Sequence, residues 1–290
     1  MTSLRSRDAY WHLSRSLFVG TGDLMGILSS YFDDSGTDAG SRTAVVAGYV
    51  GSDFQWKRFA DRWTTALAAE HVSVMRRSSL ENFKGEFLTG WNDSRRTAFV
   101  KRLHSIIKTC TYSAVAAVVV KEDFERVMPR WVHELMGGPY GWCAFMCVFA
   151  MRGWCQEKNH SGPVNWIFES GTEGAQQVMQ MFQAIEFAGL KENYQVGALA
   201  FAGKEVKPLQ AADLVAYETF KHAENQILDQ GRLRKQRGSA IDLFRPQDER
   251  HVTFWNEDRL RHWLKICDRR LPSFEVFSTD ELDELRRLAK

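Results

Sequence analysis

The sequence predicts an α/β protein whose mixed sheet is flanked by helices. Segments rich in β-branched and aromatic residues alternate with segments whose apolar residues recur every three or four positions. Residues 112–120 are rich in alanine and valine, which is typical of a strand that is covered on both faces. No linker-like stretch occurs before Leu228, and this favours one main domain.

An opening hairpin is predicted at residues 28–50. Residues 28–32 have the character of a short strand, and residues 43–50 that of its β-rich partner. Four turn-forming residues are expected to end the first strand: Asp33, Asp34, Ser35 and Gly36. A helix should follow, with Asp53 as its N-cap and with these residues on its apolar stripe: Trp56, Phe59, Trp63 and Leu67.

Further strands and helices are predicted to alternate as far as residue 228. The strands are expected at residues 72–75, 112–120, 163–168 and 194–201. The helices are expected from Asp93, at residues 140–155, at residues 173–187 and from Pro208 onwards. Proline suits the first turn of a helix, because its missing N–H would have no partner there. The helix at 140–155 is apolar on most sides and is therefore expected to be buried.

Composition divides the chain into three parts. Residues 1–26 have no clean period and are predicted to be an N-terminal arm, and residues 27–228 form the predicted main domain. Residues 229–290 are expected to be a basic loop and a helical extension, with one helix at 256–267 and another from Ser278.

Composition also limits the classes of function. A hydrophobic content of 44% and a charged content of 26% are ordinary for a packed protein. A net charge of +2 does not indicate attraction of the whole molecule to nucleic acid, so any basic surface must be local. The longest apolar stretch is far below the roughly 20 residues that span a bilayer. No secretion signal is recognised, and the odd number of cysteines favours reduced thiols, so we expect a cytoplasmic protein without a membrane span.

Acidic residues at strand ends are the main functional signal. Asp33 and Asp34 follow the first strand and Glu169 follows the strand at 163–168. Ligands of α/β sheets bind near the carboxyl ends of strands, so acids that are distant in sequence can meet there. Asp213 shares a helix face with apolar residues and is expected to face the sheet, where an unpaired carboxylate would cost several kcal/mol.

Two explanations of these acids remain open. Mg²⁺ or Mn²⁺ suits hard oxygen ligands, and two such ions about 4 Å apart can activate a water and stabilise the leaving oxygen of a phosphodiester. Alternatively, Asp33 and Asp34 are ordinary turn residues and Asp213 pairs with a lysine. Lys204 and Lys207 precede the Asp213 helix, and either one could pair with Asp213 or neutralise a phosphate at the helix N-terminus.

Two ordered motifs resemble those of domain-of-unknown-function family 3800, whose fold is ribonuclease H-like. The first, residues 31–36 (Tyr-Phe-Asp-Asp-Ser-Gly), resembles the family signature Tyr-Ile-Asp-Glu-Ser-Gly. The second, residues 209–217 (Leu-Gln-Ala-Ala-Asp-Leu-Val-Ala-Tyr), resembles the late helix Leu-Gln-x-Ala-Asp-Leu-x-Ala-Tyr. Residues 166–169 resemble the strand that carries the family's middle acid, and residues 87–91 its Phe-x-x-Trp segment. The resemblance covers about residues 28–228.

The resemblance implies a ribonuclease H-like domain at residues 27–228 that hydrolyses phosphodiester bonds of DNA or RNA. It implies Asp33, Glu169 and Asp213 as catalytic residues and as ligands of Mg²⁺ or Mn²⁺. Such sites often use more than three acids, so Glu173 and Glu218 are candidate fourth ligands, although Glu218 is expected to face water. The other candidate site residues are Asp34, Lys204, Lys207 and Gln210.

Three departures from the family pattern favour an alternative function. Asp34 stands where glutamate is usual, Glu169 stands where aspartate is common, and residues 74–76 lack the histidine associated with that region. A histidine there could assist proton transfer. The alternative is therefore a catalytically inactive binding or assembly module, with a protein partner or a second copy of the chain.

Weaker signals are interpreted conservatively. Four basic residues after the long helix are a candidate contact for nucleic-acid phosphates: Arg232, Arg234, Lys235 and Arg237. Four residues are a candidate zinc-binding set: Cys143, Cys147, Cys155 and His160. The cysteines are better explained as small apolar residues of a buried helix. Trp56, Trp63 and Trp142 fall on apolar helical faces and are expected in the core rather than against bases.

Overall fold

A computed structural model of the chain describes residues 27–38, 40–228, 243–244, 248 and 251–269. The predicted N-terminal arm and the predicted helix from Ser278 lie outside the described residues. The same is true of the four candidate phosphate-binding residues Arg232, Arg234, Lys235 and Arg237.

The described strands form one mixed sheet. They are β1 (Leu28–Ser35), β2 (Thr43–Ser52), β3 (Ser113–Val120), β4 (Val164–Glu169), β5 (Val196–Ala202) and β6 (Val252–Trp255). Their order across the sheet is β5-β4-β1-β2-β3-β6. β2 is antiparallel to β1 and β3, whereas β4 runs parallel to both β1 and β5, and β6 runs parallel to β3. The predicted α/β class with a mixed sheet is confirmed.

Helices cover both faces of this sheet. They are α1 (Asp53–Ala69), α2 (Arg77–Glu81), α3 (Asp93–Cys110), α4 (Lys121–Val127), α5 (Arg130–Met136), α6 (Pro139–Glu157), α7 (Gly174–Phe187), α8 (Lys207–Leu228) and α9 (Glu257–Arg269). One apolar core joins the sheet to α4, α5, α6, α7 and α9. A second core, on the opposite face, joins it to α1, α2, α3 and α8. No helix in the described part of the chain is long and apolar enough to cross a membrane.

The apolar helix α6 is buried because it has neighbours on two sides. The thiols of Cys143 and Cys147 donate to the carbonyls of Ala44 and Val46 on β2. On its other side, Trp142 packs edge-to-face with an aromatic ring of α9, at a centroid distance of 4.8 Å. Burial raises the pKa of both cysteines, so they are neutral thiols of the core. The predicted burial of Trp56, Trp63 and Trp142 is also confirmed, since each is 0% exposed.

Three local predictions are wrong. The run that begins at Asp33 does not end β1, because residues 33–35 continue the ladder with β2. The N-cap of α1 is Ser52, whose side chain accepts the N–H of Gln55 in a capping box. Residues 72–75 are not a strand, because their backbone donors are bound elsewhere. The N–H of Val72 bonds to the carbonyl of Leu67, and the donors of residues 73–75 bond to side-chain oxygens. One of these donors is the N–H of Met75, which bonds to Gln210. The short strand β6 was not predicted.

Candidate functional site

Asp33 and Glu169 lie side by side at the carboxyl ends of β1 and β4. The two strands are parallel and in register, with Phe32 opposite Phe168, so the next residues are neighbours. Side chains alternate between the faces of a sheet, and Asp33 and Glu169 therefore share the face that carries Tyr31. This is the face covered by α8.

Asp213 reaches the same point from α8. Leu209 and Ala216, on the same stripe of the helix, are buried in the core between α8 and the sheet. The helix packs directly on β1 and β2. The Asp213 carboxylate therefore meets the ends of the strands, although it is 180 residues from Asp33 in sequence.

Lys204 occupies the centre of these three carboxylates. Its Nζ lies 3.0 Å from Asp33 Oδ2, 2.9 Å from Glu169 Oε2 and 2.5 Å from Asp213 Oδ1. The Lys204 side chain is only 5% exposed, and Asp33 is 3% exposed. The pairing of Asp213 with a lysine, left open by the sequence, is thus observed, and the same ammonium serves Asp33 and Glu169 as well.

Backbone N–H groups bind the remaining oxygens of two of these acids. Asp33 Oδ1 accepts the N–H of Asp34 at 2.8 Å, and Asp213 Oδ2 accepts the N–H of Arg77 at 2.6 Å. Each of these carboxylates therefore has one oxygen held by the backbone and one that faces Lys204. This arrangement orients both groups towards a common centre.

The cluster carries more negative than positive charge. Burial raises the pKa of Asp33 well above its usual range; Lys204 opposes this rise, whereas Asp213 and Glu169 add to it. Burial alone would lower the pKa of Lys204, but the three surrounding carboxylates raise it above its usual value, so the lysine is charged. Three carboxyl groups therefore share one ammonium, and burial favours the neutral form of Asp33.

Asp34 lies on the other face of the sheet. Its Oδ2 accepts the N–H of Gly174, the first residue of α7, at 3.1 Å. A Cβ at position 174 would lie only 2.3 Å from that oxygen, so glycine is required for this close approach. Burial raises the pKa of Asp34 to about 6, despite the opposing hydrogen bonds from Thr172 and Gly174. Asp34 therefore connects β1 to α7 and does not contact Lys204 directly.

We expect Asp34→Asn to stabilise the protein at pH 8 and to have little effect near pH 4. The folded-state pKa of about 6 exceeds the unfolded value of 3.8, so stability is lost as the pH rises from about 4 through 6. The isosteric amide abolishes this loss, a gain of roughly 1–3 kcal/mol at pH 8. Urea denaturation at both pH values measures it. The exposed neighbour Asp38, changed to Asn, serves as the control, and an equal effect of Asp34→Asn at both pH values would contradict the prediction.

Gln210 holds the segment that carries Lys204. Its Nε2 donates to the Lys204 carbonyl at 2.6 Å, and its Oε1 accepts from Trp63 Nε1 and from the N–H of Met75. Gln210 is therefore a positioning residue and does not contact the carboxylates. Lys207 donates to the carbonyl of Ser73 and lies apart from the acids.

Neither candidate fourth ligand joins the cluster. Glu173 is exposed at the start of α7 and interacts with Lys121. Glu218 was expected to face water, which is wrong: it is 0% exposed and its Oε1 lies 2.6 Å from Arg77 Nη2. This buried ion pair escaped the sequence analysis because nothing in the pattern links position 77 with position 218. It matters for the site, because Arg77 also supplies the N–H that binds Asp213.

No three His, Cys, Asp or Glu side chains in the described ranges have the spacing of a ready-made metal site. The three central carboxylates are arranged around an ammonium. Their oxygens would have to lie closer to the central point to bind a metal ion. No protein-family model matches the chain, and a search of the curated proteins finds no match. The resemblance to family 3800 therefore rests on the sequence motifs alone.

Proposed function

We propose that the protein is a divalent-metal-dependent hydrolase of phosphodiester bonds in nucleic acid, with a ribonuclease H-like fold. One observation carries the proposal: three carboxylates from β1, β4 and α8 converge, within 3.0 Å, on a single buried point at the ends of parallel strands. A mixed sheet with helices on both faces is compatible with the fold that the resemblance implies.

The donor set fits Mg²⁺ or Mn²⁺ chemically. Asp33, Glu169 and Asp213 each direct one carboxylate oxygen towards the same centre, and hard oxygen donors are the ligands that these ions prefer. Three carboxylates around one point favour a divalent cation over a single ammonium. These three acids would hold the metal.

The metal, when bound, would supply Lewis-acid polarisation of the scissile phosphodiester. The chain's own residues supply orientation. Backbone N–H groups aim Asp33 and Asp213 at the centre, and Asp34 anchors the N-terminus of α7 beside β1. Gln210 holds the backbone of Lys204 next to the acids. A catalytic centre requires that the protein hold its polar groups in place before the substrate binds.

A second candidate function is a non-catalytic binding or assembly module. The observation in its favour is Lys204, whose single ammonium contacts all three carboxylates without a metal. A structural ion cluster of this kind would hold β1, β4 and α8 together. The resemblance then describes a shared fold without shared chemistry.

Thermal melting in EDTA, Mg²⁺ and Mn²⁺ separates the two candidates. A metal that binds only the folded protein stabilises it by about 2.7 kcal/mol at a hundred times its Kd, which should raise Tm by roughly 5 °C or more. We expect this rise in the wild type and in Asp258→Asn, which changes an exposed acid on α9. We expect no rise in Asp213→Asn. A wild type that does not respond to either metal would favour the non-catalytic module.

A further inference from the structure

We propose that Lys204 is an exchangeable internal cation, which binds the three carboxylates in the metal-free protein and withdraws when a divalent metal binds. The inference rests on the proposed metal site and adds its regulation. Three observations support it. Lys204 binds one oxygen of each carboxylate, backbone N–H groups bind the second oxygens of Asp33 and Asp213, and nearby cations bind other groups.

Lys204 and a metal would compete for the same three oxygens. Lys204 Nζ lies 2.5–3.0 Å from one oxygen of each of Asp33, Glu169 and Asp213. Mg²⁺ binds carboxylate oxygens at about 2.1 Å and Ca²⁺ at about 2.4 Å, so the oxygens must contract around an ion placed at that point. An ammonium nitrogen and a metal ion cannot both occupy the centre. Binding at this point therefore displaces the lysine side chain.

The far sides of the carboxylates offer a poor alternative. The second oxygens of Asp33 and Asp213 bind backbone N–H groups of Asp34 and Arg77, which belong to β1 and α2. A metal on those oxygens would have to replace two partly buried backbone hydrogen bonds, each of which is costly to leave unmade. The oxygens that face Lys204 are the ones that a metal can take by displacing a side chain alone.

Three nearby cations among the described residues are engaged elsewhere. The guanidinium of Arg77 binds Glu218 and Glu81, and the ammonium of Lys207 binds the carbonyl of Ser73. The ammonium of Lys121 binds the carbonyl of Gly36. If Lys204 left without a replacement, three clustered carboxylates would repel one another at short range. Departure of the lysine is therefore coupled to arrival of another cation.

The backbone of Lys204 can stay in place during this exchange. Its carbonyl is bound by Gln210, whose own oxygen is held by Trp63 and Met75. The four-carbon stem of lysine is flexible, so the ammonium can swing away while its Cα remains fixed. A displaced Lys204 would stay beside the metal, where its charge can attract a phosphate group.

Lys204→Met tests the exchange, with Lys207→Met as the matched control. Removing the competitor should tighten Mn²⁺ binding by about tenfold or more, because the site no longer has to expel an ammonium before it binds the metal. The metal-free Lys204→Met protein should also melt at a lower temperature than the wild type. Lys207→Met should bind Mn²⁺ like the wild type. Loss of the free-Mn²⁺ electron paramagnetic resonance signal on titration measures the Kd without any assay of activity.

The outcomes separate this inference from the proposed function. Equal Kd values for the wild type and Lys204→Met would overturn the exchange and leave the metal-dependent function standing. Binding by Lys204→Met alone would support the exchange and contradict metal-dependent function in the wild type. Binding by neither protein would overturn both. If Lys204→Met does not fold, Lys204→Gln, which retains polar character without the charge, is titrated in its place.

Discussion

If the protein has the proposed activity, Asp33→Asn and Asp213→Asn should each reduce metal-dependent hydrolysis of nucleic acid by about a thousandfold or more. Each change removes one of three carboxylates around the central point, and a bound metal contributes several kcal/mol to such a reaction, at about 1.4 kcal/mol per factor of ten in rate. Both replacements keep the shape of the side chain and one oxygen for the backbone N–H, so we expect both variants to fold.

The rates are measured with Mn²⁺ on single-stranded and double-stranded DNA and RNA, and on nucleotides and phosphorylated small molecules as alternative substrates. Asp258→Asn, on the exposed surface of α9, is the matched control and should retain full activity. Folding of each variant is verified by its cooperative melting. Folded variants that hydrolyse nucleic acid as fast as the wild type would exclude these acids as the catalytic centre.

Arg77→Met should destabilise the protein by about 3–5 kcal/mol, because it removes the guanidinium that pairs with the buried carboxylate of Glu218. Arg77 is 3% exposed and also pairs with Glu81, so little water can reach the vacated position. The change lies on α2 next to the N–H that binds Asp213, and it should therefore weaken metal-induced stabilisation as well. Urea denaturation at pH 7.5 measures the first effect, and melting with Mn²⁺ measures the second.

A double variant separates loss of the ion pair from loss of packing. Arg77→Met combined with Glu218→Met replaces both charges with apolar groups and should recover a large part of the lost stability, since a buried pair can often be replaced in this way. Arg130→Met is the control, because Arg130 forms an exposed pair with Glu134 and should contribute less than about 1 kcal/mol. If the double variant is no more stable than Arg77→Met, the Arg77–Glu218 pair is not the source of the loss.

The fold class was predictable because most of the elements are encoded locally. The alanine and valine run of β3, the apolar surface of α6 and the stripe of α1 all appear in the sequence at the period of their structures. The predicted strand at residues 72–75 failed because groups from other parts of the chain compete for its backbone donors. Residues 72–75 have the composition of a strand, but the backbone donors of residues 73–75 are taken by Gln210 and Glu86 from other segments. The pairing of β6 with β3 is likewise a long-range contact.

The acids of the candidate site were recognisable in sequence for a similar reason. Asp33 and Glu169 follow the last residues of β1 and β4 that pair with each other, and helical periodicity places Asp213 on the face towards the sheet. Each of these positions depends on the local pattern around a single residue. Their convergence then follows from the parallel pairing of β1 with β4 and from the packing of α8 on β1.

The sequence by itself determined the α/β class and the approximate positions of Asp33, Glu169 and Asp213 along the strands and helices, because residue periodicity acts over a few residues. Only the tertiary structure decided that Lys204 lies at the centre of these three acids. It also decided that Asp34 binds α7 on the opposite face and that Arg77 pairs with Glu218. Ion pairs depend on distances of a few ångströms between side chains that are far apart in sequence. Such distances are set only when β1, β4 and α8 have packed together.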